Sequence, residues 1–127
     1  MGTHHYFTFG LHHRVVGETL VLEPRGELDA WADQELSPRL AVLLDRPRPR
    51  PHVIVDLRQV TFLDAGGLRL LIRLRNRATA NGSTLRLVGA CAGVRHVLRV
   101  TRLDRAFTLL DEPPPPLDAS SGHSIPA

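Results

Sequence analysis

The chain has 127 residues, 43% hydrophobic and 23% charged, with a formal net charge of +3 and one cysteine. That length supports a single hydrophobic core in an ordinary soluble globular composition, and the lone Cys91 excludes an internal disulfide, a CxxC redox pair and a cysteine metal cluster. No apolar run approaches the roughly 18 to 20 residues of a membrane span, and the opening stretch lacks a basic segment followed by an apolar one, so a cytoplasmic protein with no membrane partner is expected.

All 16 basic residues are arginine. Lysine would serve on most exposed positions, so the choice points to a GC-rich genome rather than to a physical need. Arginine holds its proton at any accessible pH, and the pI of 10.4 therefore overstates the basic character. A net charge of +3 with 5% aromatic residues is weak support for nucleic-acid binding.

Residues 1–13 hold four of the seven histidines, as His4-His5 and His12-His13, and are expected to form a solvated N-terminal arm. Neighbours in an extended chain point to opposite sides, so each pair offers one metal ligand per side, and no metal is expected. From Arg14 the chain reads as a strand pair: Val15-Val16, a Gly17-Glu18 turn, then TLVLEPRG from Thr19 to Gly26. Pro24 predicts that this second strand lies near an edge or is ending. In GELDAWADQELSPRLAVLLDR, Asp29 supplies an N-cap, and Leu36, Leu40, Leu43 and Leu44 recur at helical spacing. Pro38 permits one kinked helix from about Trp31 to Asp45, or a regular helix starting with Ser37 as cap and Pro38 at its first position. The longer helix is preferred, and RPRPRP (Arg46 to Pro51) then ends it as a basic loop.

HVIVDL is a short run rich in β-branched residues, as in a parallel strand buried on both faces. VTFL is a second brief extended piece, after which Asp64 caps a helix. There Leu68, Leu71, Ile72, Arg75 and Ala78 bracket one side, and Arg69, Arg73 and Arg77 form an i, i+4 ladder on another. Asn81-Gly82 ends that helix. TLRLVG reads as a strand, AGVRHVLRV as a short helix and RAFTLLD as a last strand. From Glu112 the proline-rich tail lacks the apolar surface to offset its ordering and reads as disordered. The order β-β-α-β-α-β-α-β predicts an α/β domain over residues 14–111: a small mixed, mostly parallel sheet packed with three to four helices through right-handed crossovers.

The turn Asp64-Ala65-Gly66-Gly67 has four chemical readings. A helix N-terminus with two glycines suits an anion, but there is no GxGxxG or GxxxxGK[ST], and Asp64 repels phosphate. Catalysis would draw on Asp29, Asp56 and Asp64 with His52 or His96 as base, yet no serine or cysteine stands in a nucleophile elbow, and aspartates at strand ends more often cap and turn. The arginine ladder could meet nucleic acid, although such ladders are usually solvated faces. In the fourth reading the turn is a recognition surface: glycines admit a close backbone, and Asp64 and Leu68 add a charge and an apolar contact.

The segments Gly26-Glu27-Leu28-Asp29, VIVDLRQVTFLDAGGLRLL, GSTLRLVGA and VRHVLRVTRLDRAF together resemble the STAS domain of bacterial anti-sigma factor antagonists, over residues 14 to 110. The resemblance implies a non-enzymatic domain without cofactor. Such a domain binds an anti-sigma factor, often a GHKL-type serine kinase, and so frees a sigma factor to direct transcription. The kinase switches the antagonist off by phosphorylating a serine in an Asp-x-Ser-Gly turn. Here those positions fall on Asp64, Ala65, Gly66 and Gly67, so the phosphoacceptor is absent and Gly66 stands in its place. A second aspartate of the partner surface falls on Asp29. The implied partner-binding set is Asp29, Asp64, Ala65, Gly66, Gly67, Leu68 and Arg69, with Arg69 one turn from the glycines and placed to meet a carboxylate. Two functional expectations follow: an antagonist that phosphorylation at this turn does not switch off, in which Gly66→Ser would restore the switch, or a non-switching scaffold that self-associates or binds other STAS proteins.

Overall fold

The computed structural model describes residues 9–111 and 124–125. Strand β1 (Phe9–Val16) turns at Gly17 into β2 (Thr19–Leu28), and α1 (Ala30–Leu44) follows. Next come β3 (His52–Asp56), β4 (Gln59–Leu63), α2 (Ala65–Ala80), β5 (Thr84–Val88) and α3 (Ala92–Val100). A 3-10 turn (Leu103–Arg105), β6 (Thr108–Leu110) and β7 (Ser124–Ile125) complete the described chain. The strands form one sheet in the order β6-β5-β3-β2-β1-β7, with β4 also paired to β2. β1 is antiparallel to β2 and β7; β2–β3, β2–β4, β3–β5 and β5–β6 are parallel. The expected mixed, mostly parallel sheet is present.

Alternation along the strands sets the core. Leu20, Leu22, Val53, Val55 and Leu87 meet Leu36, Leu40 and Leu44 of α1, Leu70, Leu71 and Leu74 of α2, and Val94 and Leu98 of α3. Val21, Ile54 and Val88 form a smaller cluster on the opposite sheet face, so Val53, Ile54 and Val55 are all buried, as read for HVIVDL. Each fully buried leucine or valine contributes roughly 1.5–3 kcal/mol of transfer free energy.

Helix α1 is the longer of the two readings and carries Pro38 inside it. Its missing N–H removes one i→i−4 bond, but Leu36 and Leu40, on either side, are both in the core and hold the helix through it. Four expectations change. β1 begins at Phe9, so Phe9 to His13 belong to the sheet rather than to an arm; residues 1–8 lie outside the described residues. Pro24 does not mark an edge: β2 pairs with β3 through Thr19–Leu22 and with β4 from Arg25 onward, and Pro24 falls between the two parallel ladders. VTFL belongs to a full strand, β4, parallel to the end of β2. The buried stripe of α2 runs through Gly67, Leu70, Leu71, Leu74 and Ala78, so Leu70 and Leu74 replace Leu68, Ile72 and Arg75 at its centre. The tail expected to be disordered lies outside the described residues except for Ser124–Ile125, which pair with β1.

Candidate functional site

The tripeptide Leu-Asp-Ala occurs three times, at Leu28–Ala30, Leu63–Ala65 and Leu117–Ala119, and the two copies within the described residues do the same thing. Leu28 and Leu63 are paired at the ends of parallel strands β2 and β4. The aspartate after each leaves the strand in an extended conformation, φ −119° at Asp29 and −117° at Asp64, and the alanine opens a helix. Two helices therefore start side by side at the carboxyl ends of neighbouring parallel strands, where α/β sheets commonly hold their ligands.

Each aspartate caps its own helix. Asp29 Oδ1 accepts from the Ala32 N–H at 2.9 Å, and Asp64 Oδ1 accepts from the N–H groups of Gly66 at 2.8 Å and Gly67 at 3.3 Å. The carboxylates also offset two adjacent positive helix ends that would otherwise repel. The junction is tied together by the Asp64 N–H, which donates to the Leu28 carbonyl at 3.3 Å.

The close backbone approach expected at the glycines is made, but inside the molecule. Gly66 and Gly67 are buried. A Cβ on Gly66 would lie 2.2 Å from the Ala30 nitrogen, 2.4 Å from its Cα and 2.6 Å from the Asp29 carbonyl carbon. A Cβ on Gly67 would lie 2.2 Å from the Leu28 carbonyl oxygen. The structure thus brings all seven expected site residues to one junction, with Ala65 and Arg69 exposed, Asp29, Asp64 and Leu68 half-buried, and the two glycines beneath them.

Two aromatic residues that the sequence reading did not single out flank the same end. Trp31, in the first turn of α1, is 36% exposed and stands edge-on to Phe9 at 6.0 Å. Phe62 is 48% exposed and lies opposite Glu27 in the β2–β4 register. The available signal was positional: the only tryptophan of the chain falls two residues after one capping aspartate, and Phe62 two residues before the other.

The other constellations weighed from the sequence do not assemble. Asp56 is buried and spent on Arg58, which donates from its backbone N–H and Nε at 3.0 Å each and from Nη2 at 2.8 Å. His52, at the opposite end of β3, shares a 3.0 Å hydrogen bond with Thr84 Oγ1, and His96 is exposed on α3. The arginine ladder is a staple between helices: Arg73 lies 3.6 Å from Asp33 and Arg77 pairs with Asp45. Among the described residues no three His, Cys, Asp or Glu side chains gather as metal ligands, and no helix is long and apolar enough to cross a membrane.

One sheet, helices packed on one face and two capped helix starts at the strand ends define a small α/β domain. The family model described as "Mlab, STAS domain" matches residues 11–111, and the chain belongs to that family. A STAS-domain containing protein of Pseudomonas aeruginosa is 27% identical over 93 residues, which is 73% of this chain and 89% of that protein. Among solved structures, an anti-sigma factor antagonist from Mycobacterium paratuberculosis matches with TM-score 0.74 and 22% identity, over 87% of this chain and 92% of the other. A sulfate transporter family protein from Wolinella succinogenes matches with TM-score 0.67 and 20% identity, over 78% of this chain and 82% of the other. At these identities the structural likeness is one of fold.

Proposed function

We propose that the chain is an anti-sigma factor antagonist: a cytoplasmic binding protein, not an enzyme, that docks on an anti-sigma factor of the GHKL serine-kinase type and releases a sigma factor. The observation that carries this reading is the paired helix start, which sets Asp29 and Asp64 on one surface with Ala65, Leu68 and Arg69 beside them and two part-exposed aromatics at its border. Exposed aromatic area is enriched at protein-binding surfaces, with polar groups at the rim. Gly66 offers no hydroxyl, so on this reading the antagonist is not switched off by phosphorylation at the turn and is controlled by its abundance.

A pull-down from source-cell lysate, identified by mass spectrometry with and without ATP, tests this. Capture of a GHKL-type anti-sigma factor, undiminished by ATP, is the expected result; capture lost on adding ATP would break the non-switching part. A second reading is a non-switching STAS scaffold that self-associates; the same fold in a sulfate transporter family protein supports only that the fold is not confined to antagonists. Light scattering that finds only monomer at high concentration would remove it.

A further inference from the structure

We infer that Gly66 is a positioning residue: its missing side chain lets the N-termini of α1 and α2 meet backbone to backbone, and this contact closes the acceptor position, so that restoring a hydroxyl does not restore a switch. The word "acceptor" rests on the antagonist reading; the packing does not. Non-bonded carbon atoms sit best at about 3.5–4.0 Å, whereas a Cβ here would stand 2.2 Å from the Ala30 nitrogen and 2.4 Å from its Cα. These are main-chain atoms, which cannot swing away like the tip of a side chain.

Nor is α2 free to retreat. Gly67 lies against the Leu28 carbonyl, the Asp64 N–H donates to that same carbonyl, and Leu28 pairs with Leu63 in the sheet. Three consecutive residues, Leu28 to Ala30, are therefore held by both glycines and by a strand pairing. A side chain at position 66 must displace the start of α1, and with it Asp29, from its place beside Asp64. A serine there would share the Cβ of alanine and carry its Oγ into a buried contact, not out to a kinase. The absence of a side chain at position 66 and the closure of that position by Ala30 are one packing feature, which makes the junction a fixed platform.

The test compares Gly66→Ala, Gly66→Ser, Ala65→Ser and the distant core variant Leu98→Ala in the full chain. It reads thermal midpoint and the amide NMR signal of Ala32, whose N–H is capped by Asp29. Both Gly66 variants are expected to lower the midpoint by roughly 10 °C or more, and to shift the Ala32 amide. Ala65→Ser, at an exposed position, is expected to do neither, and Leu98→Ala to lower the midpoint while leaving Ala32 in place. Failure of both Gly66 variants to fold while Ala65→Ser folds supports closure in the same way. Gly66→Ser melting with the parent, or a folded Gly66→Ser that takes up phosphate from a GHKL kinase and ATP, overturns it. The melting and NMR arms need no partner, so they stand or fall separately from antagonism.

Discussion

The α1–α2 pair is fastened at both ends, and by opposite means. At the N-termini the fastening is main chain against main chain, with glycines where any side chain would intrude. At the C-termini it is a clasp of side chains: Arg77 pairs with Asp45, and Asn81 Nδ2 donates to the Leu44 carbonyl at 3.0 Å and to Asp45 Oδ1 at 2.8 Å. Between them lies a groove of about 660 Å³ that includes Pro38 on one wall and Arg73 on the other. A backbone contact has one geometry, whereas long side chains tolerate many. The end with one geometry is the end that carries the proposed recognition surface.

The largest effect that sharpens this contrast is expected at Gly67. Its Cβ would meet the Leu28 carbonyl oxygen at 2.2 Å and Leu63 Cδ1 at 2.6 Å, so Gly67→Ala should lose about 2–3 kcal/mol, in the overpacking range. The urea midpoint measures it, and a loss below that of a surface substitution would dissolve the distinction between the two ends.

Next in size is the cap. Asp64→Ala removes the acceptor for two helix N–H groups and should cost about 1 kcal/mol, while Asp64→Asn keeps a cap and most of the stability. Partner capture separates the roles: if Asp64→Asn melts like the parent but no longer retains the partner, the carboxylate charge is read by the partner. If it still retains the partner, Asp64 serves the helix alone. At the clasp, Arg77→Ala removes an ion pair whose side chains are both over 40% exposed, and solvent screening limits its expected cost to about 0.5 kcal/mol. A cost at Arg77 equal to that at Gly67 would break the comparison.

What could be read along the chain was whatever is decided locally. Asp29 and Asp64 announce their helices because a cap acts on residues two or three positions away, and HVIVDL reads as a buried strand because its composition is its environment. The repeated Leu-Asp-Ala is visible too, but a third copy at Leu117–Ala119 lies outside the described residues, so the tripeptide alone does not foretell the twin junction. Pro24 misled because a proline's tolerance depends on the neighbouring strand, and β2 changes neighbours there. The α2 stripe was misplaced because its helical period is visible in sequence, while its phase depends on the strands beneath, which took Leu70 and Leu74 inward. Gly66 shows the limit most clearly: sequence reveals a missing Cβ, and only the tertiary structure reveals that Ala30 fills its place.

The far flank of α1 gives the smallest expected effect and contrasts with both fastened ends. There β1 and α1 leave an apolar hollow of about 280 Å³ lined by Leu11, His13, Arg39, Val42 and Leu43, and His13 Nδ1 is buried without a hydrogen-bond partner. Burial lowers the pKa of His13 below its ordinary 6.5, and the charges of Arg46, Arg39 and His12 lower it further. The folded chain therefore prefers neutral imidazole while the unfolded chain takes up a proton more readily. The stability this contributes is full above pH 6.5 and is lost as pH falls through the lower folded value. Urea midpoints between pH 7.5 and 5 should consequently fall further in the parent than in His13→Phe, whose ring suits the apolar lining and carries no proton. Parallel profiles would mean that this flank opens enough to hydrate the imidazolium, and that α1 is secured by α2 and the core alone.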